Sequence, residues 1–532
     1  MLRGGFIYDG NGAEATAGDV AILGDLVATV GPRASGRGQI EIDAGGLAVA
    51  PGFINMLSWA AEPLIADGRS QSDIRQGVTL ELFGEGSSLG PLNDQMKRHT
   101  RERQADITYD ITWTTLDEGL RHLVTRGVSC NVASLVGATT LRIHELGHQD
   151  RPPTPDELQR MRALLRQAME DGALGLGSSL IYAPACFAAP DELLALAEVA
   201  GAYGGMYLSH IRNEGHQLLE AIDELVDISR RSGAPAEIWH FKASGPGNWP
   251  RQQAAIERVE AARAAGVHIT ADMYTYDASS TGLDATMPGW VQEGGHSAWV
   301  ERLKDGAVRA RLRHELSTAG NSGANEFLSA EKILLVGFRN EALRPLTGKT
   351  LAEVATLRGT SVEDTIMDLV VEDNSRVQCV FFTMSEDNVR RAVGLPWMSF
   401  CSDAGSLAPE GVFLNTSTHP RAYGSFARLL AKYVREQGVL SLAEAVRRLT
   451  SLPADNLGLE RRGRLAPGYY ADVVVFDPRT IQDHATFERP HQYATGVHHV
   501  FVNGQHVLRN GEHTGALPGR VVRGRGYRGG PR

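Results

Sequence analysis

Two histidines thirty residues apart carry the strongest chemical signal in the chain. His210 ends "GMYLSH" and His240 sits in "AEIWHFKASG". Both follow apolar, strand-like runs, and the interval matches one strand, loop and helix. The two imidazoles would then stand on adjacent strands and face one mouth, where barrel active sites assemble. Further on, "FCSDAGS" puts Asp403 just past another apolar run. Two imidazoles and a carboxylate on one face suit Zn²⁺, which takes nitrogen and oxygen ligands and leaves a position for water. Taken singly, each residue has a plainer reading: a lone strand-end histidine usually belongs to a core or loop, and "SDAGS" would serve as a helix cap. Their joint placement favours a metal site. Other histidines carry weaker signals. His144 and His148 have helical spacing, but Gly147 lies between them and no acid stands where a metalloprotease helix needs one. His491, His498 and His499 fall in a β-rich segment and read as surface residues.

The elements that would position these groups alternate. Strand-like runs are "LAVAPGFI", "VTLELFG", "VSCNVASLVG", "ALGLGSS", "GMYLSHI", "AEIWHFK", "VHITADMY" and "PWMSFCSD", with helical stretches between several of them. The clearest helix is "TPDELQRMRALLRQAMEDG", with Thr154 as N-cap, Pro155 in the first turn, Glu157 completing a capping box and Gly172 at the end. Eight strands in alternation predict an α/β fold, a (β/α)₈ TIM-like barrel over 52–460. Helical, charged sequence at about 284–348 interrupts the rhythm and reads as an insertion or lid. Residues 1–51 and 461–532 are turn-rich and alternating, and predict one small β-sandwich built from both termini. The basic, Gly-rich "GRVVRGRGYRGGPR" reads as a solvated tail.

Composition bounds the function. The chain has 532 residues, of which 42% are apolar, with a net charge of −10. A large core is available, and the acidic balance argues against nucleic acid, whose phosphates need a basic face. Cys130, Cys186, Cys379 and Cys401 are scattered without CxxC spacing and read as reduced thiols. No apolar run reaches the roughly 20 residues of a membrane span. "MLRGGFIYDGNG" shows no leader pattern, so the expected location is cytoplasmic.

"APGFIN", "YLSHIRNEG", "HFKASG", "CSDAG", "THPRAYGSFARLLAKYVRE" and "LTSLPADNLGLERRGRLAPGYYADVVVFDP" together resemble the N-acyl-D-amino-acid deacylases (D-aminoacylases) of the amidohydrolase superfamily, nearly end to end. The resemblance implies a metal-dependent barrel in which His210 and His240 hold the tightly bound zinc and Asp403 is the catalytic aspartate. The sequence departs from that family twice. Its His-x-His after the first strand is replaced by Leu57-Ser58-Trp59, which implies one zinc per chain. Its cysteine after the second strand is also missing, and Glu85 is the nearest competent third ligand, with Glu81 in reserve.

The expected activity is removal of the acyl group from an N-acyl, D-configured amino acid by water activated on zinc, with Asp403 moving the proton. A cation should meet the substrate carboxylate, and Lys242, on the same side of its strand as His240, is the first choice. Tyr182, Tyr274 and Ser280 resemble pocket positions of the family, while His419 and Arg421 read as structural supports of the mouth. Hydrolysis of another peptide-like, carbamoyl or cyclic amide is the enzymatic alternative. A non-catalytic binding protein is the alternative from another class. Assembly into a homo-oligomer is left open.

Overall fold

A computed structural model describes residues 1–317 and 329–529 of the chain. Its centre is a run of short parallel strands: β1 (Phe53–Asn55), β2 (Val78–Phe83), β3 (Asn131–Ser134, continued by Val136–Gly137), β4 (Gly175–Ser179), β5 (Met206–His210), β6 (Ala236–Ile238), β7 (Ile269–Met273) and β8 (Met398–Phe400). Each pairs in parallel with the next. Every residue of β1 to β8 is buried, as expected for parallel strands covered on both faces. Hydrogen bonds also tie the end of β1 to the end of β8. Met56 N–H donates to Phe400 O (3.3 Å), Asp403 N–H to Leu57 O (2.9 Å) and Trp59 N–H to Ala404 O (3.0 Å).

Helices Pro155–Glu170, Pro190–Ala202, Leu218–Ser232 and Arg251–Ala264 alternate with β4 to β7 and set the interval between His210 and His240. The first begins as its sequence predicts, with Thr154 and Glu157 forming a reciprocal capping box around Pro155. Such a cap stabilises a helix by about 1 kcal/mol. The segment after β7 builds a separate unit. Strands Ser279–Gly282, Ile333–Gly337 and Gln378–Phe381 form an antiparallel sheet over their own apolar core, which includes Leu283, Leu335, Ile366 and Phe381. The insertion expected over 284–348 lies within this larger unit, apart from residues 318–328, which fall outside the described ones. Its second part, 349–381, holds helices Leu351–Arg358 and Val362–Asp373 and lies beyond the bounds expected for the insertion.

Both ends of the chain contribute to one nine-stranded sheet. Ala48–Pro51 pairs in parallel with Leu2–Ile7 and antiparallel with Val473–Phe476, over a core that includes Leu2, Val20, Val49, Val473 and Phe501. The tail expected to be solvated is instead wedged beside β3. Val132 N–H donates to Arg520 O (2.9 Å), Val522 N–H to Val132 O (2.8 Å) and Gly524 N–H to Gly172 O (2.9 Å). Its glycines permit close approach: a Cβ at Gly519 would meet Cys130 O at 2.0 Å, and one at Gly524 would meet Ala173 O at 2.3 Å. Among the described residues no helix is long and apolar enough to cross a membrane. Cys130, Cys379 and Cys401 are buried free thiols, and Cys186 is partly buried.

Candidate active site

At the end of β2 the chain turns through Gly84, Glu85 and Gly86, with the glycines at φ +113° and +65°. Both conformations disfavour a side chain, and no room exists for one: a Cβ at Gly84 would lie 2.6 Å from Leu135 O, and one at Gly86 2.7 Å from Ser179 Cβ. This double-glycine turn carries Glu85 to the histidines. Glu85 Oε1 lies 2.9 Å from Nδ1 of His210, the last residue of β5, and 3.3 Å from Nε2 of His240. His240 stands two residues past β6 at φ +39°, a conformation that costs on the order of 1–3 kcal/mol in a non-glycine residue. It is held there by Asp272 of β7, whose Oδ1 accepts the His240 backbone N–H at 2.6 Å.

Glu85, His210 and His240 are all buried, and one ligand atom from each lies within 4.8 Å of the others. Among the described residues, theirs is the group of three such side chains able to hold a metal ion. The donor set of two nitrogens and one oxygen suits zinc, and His210 Nε2 has no hydrogen-bond partner. Glu81 is not part of the group. It lies within β2, accepts from the Ser58 hydroxyl at 3.1 Å, and is pushed up in pKa by burial and by Asp73 nearby.

Burial would raise the Glu85 pKa, but hydrogen bonds from both imidazoles outweigh it and hold the carboxyl well below its usual range. Burial and Lys242 pull His240 down, yet Glu214 and Glu85 carry it up to about 10. Without a bound cation His240 therefore keeps its proton at neutral pH, and a metal must displace it. Below pH 10 each step up in pH frees more of the ligating form. Zinc affinity should accordingly rise about tenfold per pH unit between roughly pH 6 and 8, measured by competition with a chromophoric chelator. An affinity independent of pH over that range would contradict the arrangement.

Glu214, absent from the sequence reading, completes the cluster. Its Oε1 lies 3.0 Å from His240 Nδ1 and accepts from Lys242 Nζ at 2.6 Å. The available signal was an acid four residues beyond His210, where supporting partners of metal-binding histidines belong. Lys242 also reaches His240 Nδ1 at 2.8 Å. It lines the cavity as expected, but its ammonium is already committed to these partners.

Asp403 follows β8 at φ +47°. Its Oδ1 accepts from the Trp59 indole N–H at 3.1 Å, and its Oδ2 lies 2.8 Å from Nη1 of Arg421. Arg421, read from sequence as a support of the mouth, is a buried guanidinium inside the cavity. It lies 4.4 Å over the Tyr274 ring and donates through Nη2 to Ser280 O at 3.3 Å, while Nε and Nη1 make no hydrogen bond. Nη1 is thus close to Asp403 without pointing its N–H along the contact. His419 stays structural, its Nε2 3.0 Å from Ala278 O and its Nδ1 accepting the Arg421 backbone N–H.

One cavity of about 720 Å³ takes in the three candidate ligands, Asp403 and Arg421. Tyr182, Tyr274 and Ser280 also line it. The Tyr182 hydroxyl is hydrogen-bonded to Thr281 Oγ1 (2.7 Å), with its ring at an angle to His210. Tyr274 is fully buried beneath Arg421. Ser280 donates to Cys379 O (2.8 Å), so its hydroxyl serves the antiparallel sheet. Two histidines read as surface residues are placed otherwise: His491 lines the cavity and His499 is buried beside His506.

Comparison with known proteins agrees with this geometry. The profile of the amidohydrolase family matches residues 41–508. The D-aminoacylase of Alcaligenes xylosoxydans xylosoxydans is 30% identical over 98% of this chain and 97% of its own. A solved D-aminoacylase with a binuclear metal centre, described as activated by one metal and attenuated by a second, aligns with a TM-score of 0.79 at 30% identity, covering 98% of this chain and 99% of that one. The N-acyl-D-glutamate deacylase of Bordetella bronchiseptica, complexed with zinc and a phosphonate mimic of the tetrahedral intermediate, aligns with a TM-score of 0.78 at 29% identity, covering 98% of each chain. Likeness of this extent assigns the fold as a TIM barrel. By the reach of the profile and by identity along nearly its whole length, the chain belongs to the amidohydrolase family.

Proposed function

We propose that the protein is a zinc-dependent deacylase that hydrolyses the amide of N-acyl-D-amino acids. The carrying observation is the buried Glu85, His210 and His240 cluster, opening into the same cavity as Asp403 and Arg421. The D configuration is taken from the substrates named for its relatives. In this reading β1 to β8 form a closed barrel over about 52–460, and the sheet shared by 1–51 and 461–532 folds into the β-sandwich.

Glu85, His210 and His240 would hold one zinc, since Leu57 and Trp59 supply no further ligands. When bound, the ion supplies Lewis acidity, lowering the pKa of a water and polarising the amide carbonyl. The chain's own residues do the rest. Asp403 removes a proton from the attacking water and returns it to the amine nitrogen as the C–N bond breaks, leaving a free carboxylic acid and a free amino acid. Arg421 is the better receptor for the substrate carboxylate, because its guanidinium lines the cavity and is engaged by one hydrogen bond, to Ser280 O, in a buried setting where a charged hydrogen bond is strong. Glu214 and Lys242 fix the orientation of the His240 ring from its far side.

Arg421→Lys keeps a charge beside Asp403 but removes the planar donor pair. It should lower kcat/KM for N-acyl amino acids by about 10- to 100-fold, mostly through KM, and change far less the rate on the corresponding carboxamides. Equal losses on both substrate types would remove Arg421 from carboxylate recognition. The function itself is tested by a hydrolysis screen over paired D and L N-acyl amino acids, alongside zinc analysis of the same sample. About one zinc per chain with turnover of the D series supports the reading. Zinc-loaded protein inert toward every pair would sink it.

A further inference from the structure

We infer that Trp59 is a positioning residue for Asp403, holding the carboxylate through its indole N–H from the rim of the cavity. The kinetic part of this inference rests on the deacylase reading above. Trp59 is 46% exposed, unusually so for so large an apolar ring. Its polar edge is nevertheless engaged, with Nε1 donating to Asp403 Oδ1 at 3.1 Å. The two residues are carried on segments pinned to each other in both directions. Asp403 N–H donates to Leu57 O, and Trp59 N–H donates to Ala404 O. The indole and the carboxylate therefore move as one body.

The chemistry of the contact fits a carboxylate that must stay correctly turned. Indole nitrogen donates and cannot accept, so it fixes Oδ1 as the accepting oxygen of the pair. Arg421 approaches the other oxygen, Oδ2, at 2.8 Å. The carboxylate is thus oriented by one hydrogen bond at Oδ1 and one ion pair at Oδ2. Trp59 also lines the cavity, so the split between kcat and KM separates a hold on Asp403 from a wall of the pocket.

Trp59→Phe removes the N–H and keeps most of the ring. With zinc content unchanged, kcat should fall about 10- to 100-fold, the loss of one hydrogen bond to a charged group, while KM stays within about twofold. A wild-type kcat, or a loss appearing mainly in KM, would overturn the inference and leave Trp59 as a wall of the pocket. A second readout does not depend on turnover. In zinc-loaded protein carrying ¹⁵N-labelled tryptophan, the indole resonance missing from Trp59→Phe should move in Asp403→Asn. A resonance unmoved by that change would also overturn the contact. Should the wild type hydrolyse no N-acyl amino acid, the deacylase reading fails, and the resonance still decides what Trp59 holds.

Discussion

Asp403→Asn should keep its zinc and lose turnover by about 10²- to 10⁴-fold, the range expected when a positioned proton carrier is removed. The substitution is nearly isosteric, so the packing around it is kept. The surroundings of Asp403 make the loss sharper than loss of charge alone. The Trp59 indole donates to Oδ1, and the positive charge of Arg421 lies beside Oδ2. An asparagine offers one oxygen and one NH₂, so whichever way it turns its NH₂ faces either the indole N–H or that charge. Arg421 would then stand buried with no anion beside it, at a cost of several kcal/mol unless water or substrate compensates. Zinc analysis, melting temperature and steady-state kinetics on one preparation check the prediction. A variant with full turnover would remove Asp403 from proton transfer.

Loss of the metal cluster should be more severe. His210→Ala removes the nitrogen donor at the end of β5 and leaves two ligands, too few for a closed site. Zinc content after dialysis should fall from about one per chain to near zero, and hydrolysis should drop more than about 10³-fold. Glu85 allows a finer comparison. Glu85→Ala should behave like His210→Ala, whereas Glu85→Cys, presenting a thiolate from the same double-glycine turn, should retain zinc and part of the activity. If Glu85→Ala kept both metal and turnover, the third ligand would have to come from elsewhere in the cavity. The family's missing cysteine would then have no replacement at this turn.

The legible part of the site was the part set by local periodicity. His210 and His240 end apolar runs one strand-and-helix unit apart, and strand ends in an alternating fold face one mouth. Glu85 was harder, because its reach depends on the backbone freedom of Gly84 and Gly86 rather than on a strand position. Contacts between distant segments were not legible. Trp59 and Asp403 are 344 residues apart, and no local pattern announces that the indole meets the carboxylate. The place of Arg421 inside the cavity was not legible for the same reason, since its burial against Tyr274 and Asp403 is a product of tertiary packing. Lys242 was read as a strand position beside His240, but the strand ends at Ile238 and the acid that engages Lys242 lies on a different loop. The tail failed for a different physical reason: glycine-rich sequence serves both free chain and close backbone approach, and only the neighbours decide between them.

The mixed sheet joining the two ends has a consequence for the order in which the molecule is made. Val49 is paired with Val475, so one partner leaves the ribosome long before the other exists. At about 5–20 residues per second, the interval is roughly 20–90 s. Throughout it Ala48–Pro51, apolar and finally buried, presents an open edge of the kind that seeds aggregation. The wedge at Gly519–Gly524 arrives later still, so the flank of β3 is also bare until the last stretch is translated. Nascent chains should therefore be most vulnerable during that interval, before Val473–Phe476 arrives to cover the edge.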